Sequence, residues 1–305
     1  MITREQLAAT RTGAALGPVL APAFLRFSGR DARDYLHRMC TQDLSALSPG
    51  AAAYAAFLDS RGRLLGEGHL LCEEGGLLLA VEAAAGEGLR AHLERFVVAD
   101  EVAVEAVPGL AALPLLGPRA RSRLGGRAAG ARRVESGRRG APCLELWLPT
   151  AEAEPLRAAL ADEGWEALDE EALEALRIAG GAPRFGPELG PGHLLVEAGL
   201  NRAAISFTKG CYVGQEVVVR ATVRGQLQRG LALLALPPRA EPGTPLLAGG
   251  AEVGQVTSAA TTPEGRVGLA YLRRAHWREG ERLEAAGGEA VVTRVVVEEG
   301  PPGQR

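Results

Sequence analysis

From Leu231 onward the chain is written in short apolar runs of even spacing, punctuated by Pro237-Pro238, Gly243, Gly249-Gly250, Pro263-Glu-Gly265 and Gly287-Gly288. Runs so short do not build helices of ordinary length, and turn residues at such regular intervals fold strands back on one another. The segment therefore reads as a small β-barrel or sandwich, with a domain boundary near 230–238.

Upstream the texture differs. Residues 19–27 read as a strand, and Ser28-Gly-Arg-Asp31 as the start of a helix to about Cys40, with Ser28 as N-cap. Segments 51–59 and 64–72 flank Ser60-Arg-Gly-Arg63, the glycine-bearing turn of a hairpin, and 77–81 adds a third strand. Leu89, Leu93 and Phe96 recur at three- to four-residue spacing, giving a helix over 86–98 with one buried face, followed by a strand at 101–107. A second such stretch runs from Leu113 to about Gly180. Its Arg/Gly-rich part, 119–140, reads as a loop or a short helix with a flexible tip, a hairpin or excursion whose arginines are a solvated run or a local basic patch. A strand at 143–148 and helices at 151–163 and 169–179 follow, the last capped by Asp169 and stopped by Gly180-Gly181. The expected fold is α+β, with subdomains 1–110 and 111–232, a barrel over 233–305 and a frayed tail from 298.

At 305 residues the chain is long enough for two or three domains. Its net charge of −3 gives no basic signature for nonspecific nucleic-acid binding. The four cysteines, Cys40, Cys72, Cys143 and Cys211, form no Cys-x-x-Cys pair, and the five histidines lack zinc-site spacing, so no metal site is expected. No run approaches a membrane span, and the N-terminal stretch is broken by Gly17, Pro18 and Pro22, a poor secretion signal. Reduced thiols in a cytoplasm are the simplest expectation.

Of the 34 residues that are lysine or arginine, only Lys209 is lysine, and it heads Lys-Gly-Cys-Tyr-Val-Gly-Gln-Glu, 209–216. An ammonium is a compact point charge, whereas guanidinium is a planar fork. Gly210 and Gly214 flank Cys211-Tyr-Val, so the backbone can turn sharply on both sides of the thiol. Lys209 can lower the pKa of a thiol within reach or bind an anionic group, and Glu216 would oppose the first effect. A lone cysteine is more often a buried structural residue, and chemistry alone leaves both readings open.

The run Ile205-Ser-Phe-Thr-Lys-Gly-Cys-Tyr-Val-Gly-Gln-Glu216, with Arg220 after it, resembles the signature of the YgfZ-type folate-binding proteins, relatives of the glycine-cleavage T-protein. Phe24–Leu36, Cys40-Thr-Gln-Asp-Leu-Ser-Ala-Leu47 and Ala56-Phe-Leu-Asp-Ser-Arg-Gly-Arg63 are similar to the family's opening helix, Thr-x-Asp segment and first hairpin. Arg177-Ile-Ala-Gly-Gly-Ala-Pro183, Glu188-Leu189 and Glu197-Ala-Gly-Leu200 are similar to the stretch leading into the signature. The resemblance implies a folate-binding body of two α+β subdomains with a C-terminal barrel. It also implies tetrahydrofolate or a one-carbon derivative as ligand, and a role in iron–sulfur cluster assembly or repair that supports tRNA modification.

On that resemblance Cys211 and Lys209 are the reactive pair, and Tyr212, Gln215 and Glu216 belong to the cofactor side of the motif. Glu197 is the candidate for the pterin ring, because a carboxylate accepts paired hydrogen bonds from a ring N–H and an exocyclic amine. Arg220 or Arg224 would meet glutamyl carboxylates. The resemblance implies a folate in a central cavity between the α+β units and the barrel, with Cys211 nearby; Thr41 and Asp43 line that cavity or simply cap and terminate the first helix. Iron–sulfur client enzymes are the implied transient partners, with neither membrane nor direct nucleic-acid contact. The alternative is a folate-dependent aminomethyltransferase or other one-carbon transferase. Two departures bear on it: Gly66-Glu67 stands where T-proteins carry an adjacent acidic pair on the hairpin's second strand, and Leu195 stands where the family has proline.

Overall fold

A computed structural model describes residues 1–224 and 227–297, the side chains of 223 and 224 excepted. The tail expected from 298 lies outside the described residues. The chain folds into two α+β units and a closed C-terminal barrel, as its texture implies.

The first sheet is antiparallel, in the order Ala52–Leu58, Leu64–Glu73, Gly76–Val81, Ala23–Ser28 and Ala103–Ala106. Helix Ala32–Met39 covers it because its apolar residues fall on one stripe, burying Ala32, Tyr35, Leu36 and Met39. Helix Ala83–Arg95 adds Leu89 and Leu93 to the same core, where they meet Phe27 and Phe57. Each such side chain contributes about 1.5–3 kcal/mol on burial, before the entropy of ordering is subtracted. The start of the first helix differs from expectation. Ser28 stays in its strand, and Asp31, at the cap position, accepts the Glu101 backbone N–H at 2.8 Å, tying helix to sheet edge.

The second sheet runs Glu166–Ala167, Ala15–Leu16, Leu110–Leu116, Cys143–Pro149 and Arg132–Ser136. Ala15–Leu16 is thus inserted between Glu166–Ala167 and Leu110–Leu116, so the opening of the chain joins the second unit's sheet and not that of the stretch 1–110. The apolar pair was too short to declare a partner from pattern alone. The arginine-rich excursion opens with the short helix Ala120–Leu124 and returns as a hairpin, with Arg132–Ser136 pairing against Cys143–Trp147. Helix Glu170–Ala179 starts where Asp169 accepts the Ala172 N–H at 2.7 Å and ends before Gly181, whose φ of +68° suits glycine. Its buried Arg177 bonds Glu188 at 3.0 Å and the Ser258 hydroxyl at 3.0 Å, linking the second unit to the barrel.

The barrel closes in the order Arg229–Ala235, Gly265–Arg273, Ala251–Thr262, Pro245–Ala248, Arg282–Ala285 and Gly288–Val295. Between the second unit and the barrel, the chain forms the short helices Leu195–Ala198, Asn201–Ala204 and Gln215–Val219. The departure Leu195 opens the first of them, which Gly199 terminates at φ +72°. This connecting stretch carries the 209–216 signature.

Candidate functional site

The signature is knitted to the first unit by its backbone and by its lysine. Lys209 is 8 % exposed, and its ammonium donates to the carbonyls of His37, Cys40 (2.9 Å) and Gln42 (2.8 Å). These carbonyls lie at and just past the C-terminus of helix Ala32–Met39, where peptide oxygens lack intrahelical partners and the helix dipole is negative. An ammonium has three N–H donors, and all three are committed here. Burial pushes the Lys209 pKa down. Its charge also lies over the Tyr212 ring, 5.2 Å from the centroid. The expected service of Lys209 to the Cys211 thiol is therefore not what this geometry provides: the cation holds a helix end.

Further bonds fix the same junction. Ser206 N–H donates to the Thr41 carbonyl at 2.9 Å, and the buried Thr41 hydroxyl donates to Ala204 while accepting from Ala56 N–H at 2.9 Å. Val213 N–H donates to the Arg38 carbonyl at 3.2 Å. Gly214, at φ +83°, fits against the hairpin turn so closely that a Cβ there would lie 2.8 Å from the Asp59 carbonyl oxygen. Asp43 caps its own turn, accepting from the Ser45 N–H and hydroxyl at 2.9 and 2.6 Å. Neither of the two readings of Thr41 and Asp43 is realised: they do not line the central cavity, and helix Ala32–Met39 ends at Cys40 without them, Thr41 bridging to Ala56 and Ala204 and Asp43 capping a turn of its own.

On this mount sits Cys211, the one exposed cysteine of the four. Tyr212 turns inward beside it, and burial pushes its hydroxyl pKa up to about 12. Gln215 begins helix Gln215–Val219. Glu216 and Arg220 pair with each other at 2.6 Å on the surface, at 84 % and 69 % side-chain exposure. The Arg224 side chain lies outside the described residues. Glu197 is buried, and its Oε2 accepts from Arg229 at 3.0 Å and from Leu194 N–H at 3.1 Å. Its carboxylate is thus turned to the barrel strand Arg229–Ala235.

A cavity of about 240 Å³ opens where the three units meet. Tyr54 and His69 wall it from the first unit, Arg138 and Pro183 from the second, Leu200 from the connecting stretch and Val296 from the barrel's end. Neither Cys211 nor Glu197 is among its lining residues. Tyr54, His69, Arg138 and Pro183 also line a narrow polar neck of about 50 Å³, which shares Arg139, Arg177 and Arg184 with an outer cleft of about 560 Å³.

Two buried ion pairs build the neck. Glu67 accepts from the Tyr54 hydroxyl at 2.6 Å and from Arg138 at 3.1 Å, while Arg138 also lies over the Tyr54 ring, 4.7 Å from its centroid. Glu145 accepts from Arg139 at 2.9 Å and from the Trp147 indole at 3.2 Å. Burial alone would raise the Glu145 pKa, but the Arg139 charge beside it holds the carboxyl below its ordinary value. Arg138 and Arg139 belong to the excursion expected to face solvent; they turn inward, where Glu67 and Glu145 compensate them. Gly66 points away from the cavity, since a Cβ there would meet Leu89 and Ala85 of the covering helix. Strand alternation therefore leaves Glu67 as the only member of the expected acidic pair facing the cavity side.

Sequence reasoning passed over Tyr54, His69, Arg138, Arg139 and Glu145. The available signal was Glu67-Gly-His69 inside an otherwise apolar strand: two polar residues two apart share one face.

The GCVT N-terminal domain family matches residues 1–132, and the CAF17 C-terminal β-barrel domain family matches 228–298. An aminomethyltransferase of Rubrobacter xylanophilus is 31 % identical over 87 % of this chain and 77 % of its own length. The tRNA-modifying protein YgfZ of Yersinia pestis is 28 % identical over 70 % of this chain and 68 % of its own. An iron–sulfur cluster assembly factor IBA57 homologue of Phaeosphaeria nodorum is 26 % identical over 74 % and 56 %. The glycine cleavage aminomethyltransferase T of Bartonella henselae superposes with a TM-score of 0.81 at 23 % identity, covering 96 % of this chain and 88 % of its own. The chain belongs to the aminomethyltransferase (T-protein) family and is a YgfZ-type relative within it, carrying a CAF17-type barrel.

Proposed function

We propose that the chain binds tetrahydrofolate or a one-carbon derivative in the central cavity and supports assembly or repair of iron–sulfur clusters in client enzymes, with Cys211 as the working thiol. The observation that carries this reading is the presentation of Cys211: one exposed cysteine in a loop that Lys209, Thr41 and Gly214 fix to the helix end and hairpin of the first unit. A thiol so placed meets a macromolecular partner without moving the fold. The relatives named for cluster assembly and tRNA modification support the same direction.

The size of the cavity supports binding of part of such a ligand. Its 240 Å³ falls below the roughly 300–1,000 Å³ of sites that enclose a drug-sized molecule, so it suits the two-ring pterin head and leaves the tail outside. Tyr54 and His69 supply an aromatic wall for such a ring. Bound folate would supply one-carbon chemistry; the protein's residues would hold and orient it.

Two measurements test the reading. Titration calorimetry with tetrahydrofolate should give saturable binding, and its absence at millimolar ligand removes folate from the account. Cys211→Ser, in a host lacking its own copy, should fail to restore an iron–sulfur enzyme. Full rescue by the serine variant excludes the thiol.

The similarity to aminomethyltransferases favours a second reading, transfer of an aminomethyl group to folate. Against it, Glu67 is already engaged by Tyr54 and Arg138. Release of ammonia and methylenetetrahydrofolate from an aminomethylated lipoyl carrier would establish this activity and displace the cluster-assembly proposal.

A further inference from the structure

We infer that His69 is the residue that selects the ligand of the central cavity, hydrogen-bonding an uncharged, flat heterocycle that lies against the Tyr54–His69 pair. This rests on the folate-site reading above and assigns the ring contact to a residue outside the signature.

His69 stands directly opposite Tyr54 in the antiparallel pairing of Ala52–Leu58 with Leu64–Glu73. Cross-strand neighbours on one face meet through their side chains, and here the rings lie 5.0 Å apart at 47°. His69 is 9 % exposed, and it lines both the 240 Å³ cavity and the polar neck. Among the described residues its ring nitrogens take no hydrogen bond from the protein, and they are not sealed off from the cavity. Glu67 is held by Tyr54 and Arg138, and Glu145 by Arg139 and Trp147.

A ligand that fills the cavity displaces water from these nitrogens, and one with no group for them leaves donor and acceptor unpaired, which is costly. A group brought by a ligand offsets that cost, and the site then rejects a ligand lacking it. The surrounding charges fix the ligand's own charge. Arg138, the guanidinium that lines the 240 Å³ cavity, is already paired with Glu67. An extra charge in the cavity would go uncompensated, so a neutral ring is favoured. Burial lowers the His69 pKa against the pull of Glu145 and Glu67, which keeps the imidazole neutral, one nitrogen donating and one accepting. Glu197, the carboxylate the resemblance assigns to the pterin, is turned to Arg229.

The test is titration calorimetry of the full chain with tetrahydrofolate and with a reduced pterin that lacks the benzoyl-glutamate tail. Wild-type protein should bind both, His69→Phe should weaken both at least tenfold, and His69→Gln should recover part of the loss. Equal thermal melting of the variants shows that the fold is kept; should His69→Phe melt early, His69→Gln and His69→Asn carry the comparison. Wild-type binding left unchanged by every His69 variant overturns the assignment and leaves the folate reading standing. No binding to wild-type protein overturns both.

Discussion

The ammonium of Lys209 lies 2.9 Å from the carbonyl oxygen of Cys40, 169 residues earlier in the chain, and this contact joins the signature loop to the end of the first unit's opening helix. A lysine suits the position because three carbonyls converge on one point. A planar guanidinium spreads its donors and is longer, so it cannot satisfy the same three oxygens. Lys209→Met should cost about 1–3 kcal/mol for buried carbonyls left without donors. Lys209→Arg should recover only part of that. Chemical unfolding of the three proteins measures it, and an arginine variant as stable as wild type would mean that charge alone matters.

The two glycines flanking Cys211 have different jobs. A Cβ at Gly214 would approach the Asp59 carbonyl oxygen and Leu58 Cβ at 2.8 and 2.9 Å, from a backbone φ of +83°. At Gly210 nothing lies within 4 Å of a Cβ. Gly214→Ala should therefore cost about 1–3 kcal/mol through left-handed strain and steric conflict. Gly210→Ala should change stability by less than about 0.5 kcal/mol. Equal losses at both positions would contradict the asymmetry.

How far the sequence could be read follows from which interactions are local. The hairpin around Ser60–Arg63, the Asp169 cap and the barrel's turn rhythm are each encoded within a few residues, and the structure realises all three. The insertion of Ala15–Leu16 between distant strands is not local, and two residues carry no register. In the site, pattern located the signature, and the family resemblance, not the pattern, picked out Cys211, which the structure leaves exposed. Sequence reasoning misjudged what Lys209 touches, because the acceptors are main-chain carbonyls that any sequence could supply. It also took Arg138 and Arg139 for a solvated run, since the acids that draw them inward come from other strands. Arg220 entered as a carboxylate contact through its place in the motif. Paired with Glu216 on the surface, it should be replaceable by alanine at under about 0.5 kcal/mol.

Thiol reactivity should divide the cysteines one against three. Burial pushes the Cys40 thiol up to about 11, the nearby Lys209 charge only partly opposing it. Burial and then the Glu145 carboxylate raise Cys143. Cys72 is buried too, with the Arg33 guanidinium 3.1 Å from its sulfur. The thiolate is the reactive form, so a disulfide reagent added to native protein should consume about one equivalent rapidly, and four after denaturation. Cys211→Ser should abolish the fast phase alone. A fast phase persisting in that variant would show another cysteine opening to solvent.

Acid sensitivity should trace to the Glu145–Arg139 pair. The folded-state pKa of Glu145 lies below the 4.5 of the unfolded carboxyl, because the Arg139 charge outweighs the opposing effect of burial. Between those two values the unfolded chain binds the extra proton, so stability is complete above about pH 5 and falls as the pH drops through the folded-state value. Glu145→Gln removes that titration but leaves Arg139 buried without its counter-charge, which should cost about 3–5 kcal/mol at neutral pH. Urea unfolding at pH 7 and pH 4 separates the two effects: wild type should lose stability on acidification, and the glutamine variant should start lower and lose less. If both proteins lose the same amount between the two pH values, the acid response belongs to other carboxylates and the neck is not the acid-labile part of the fold.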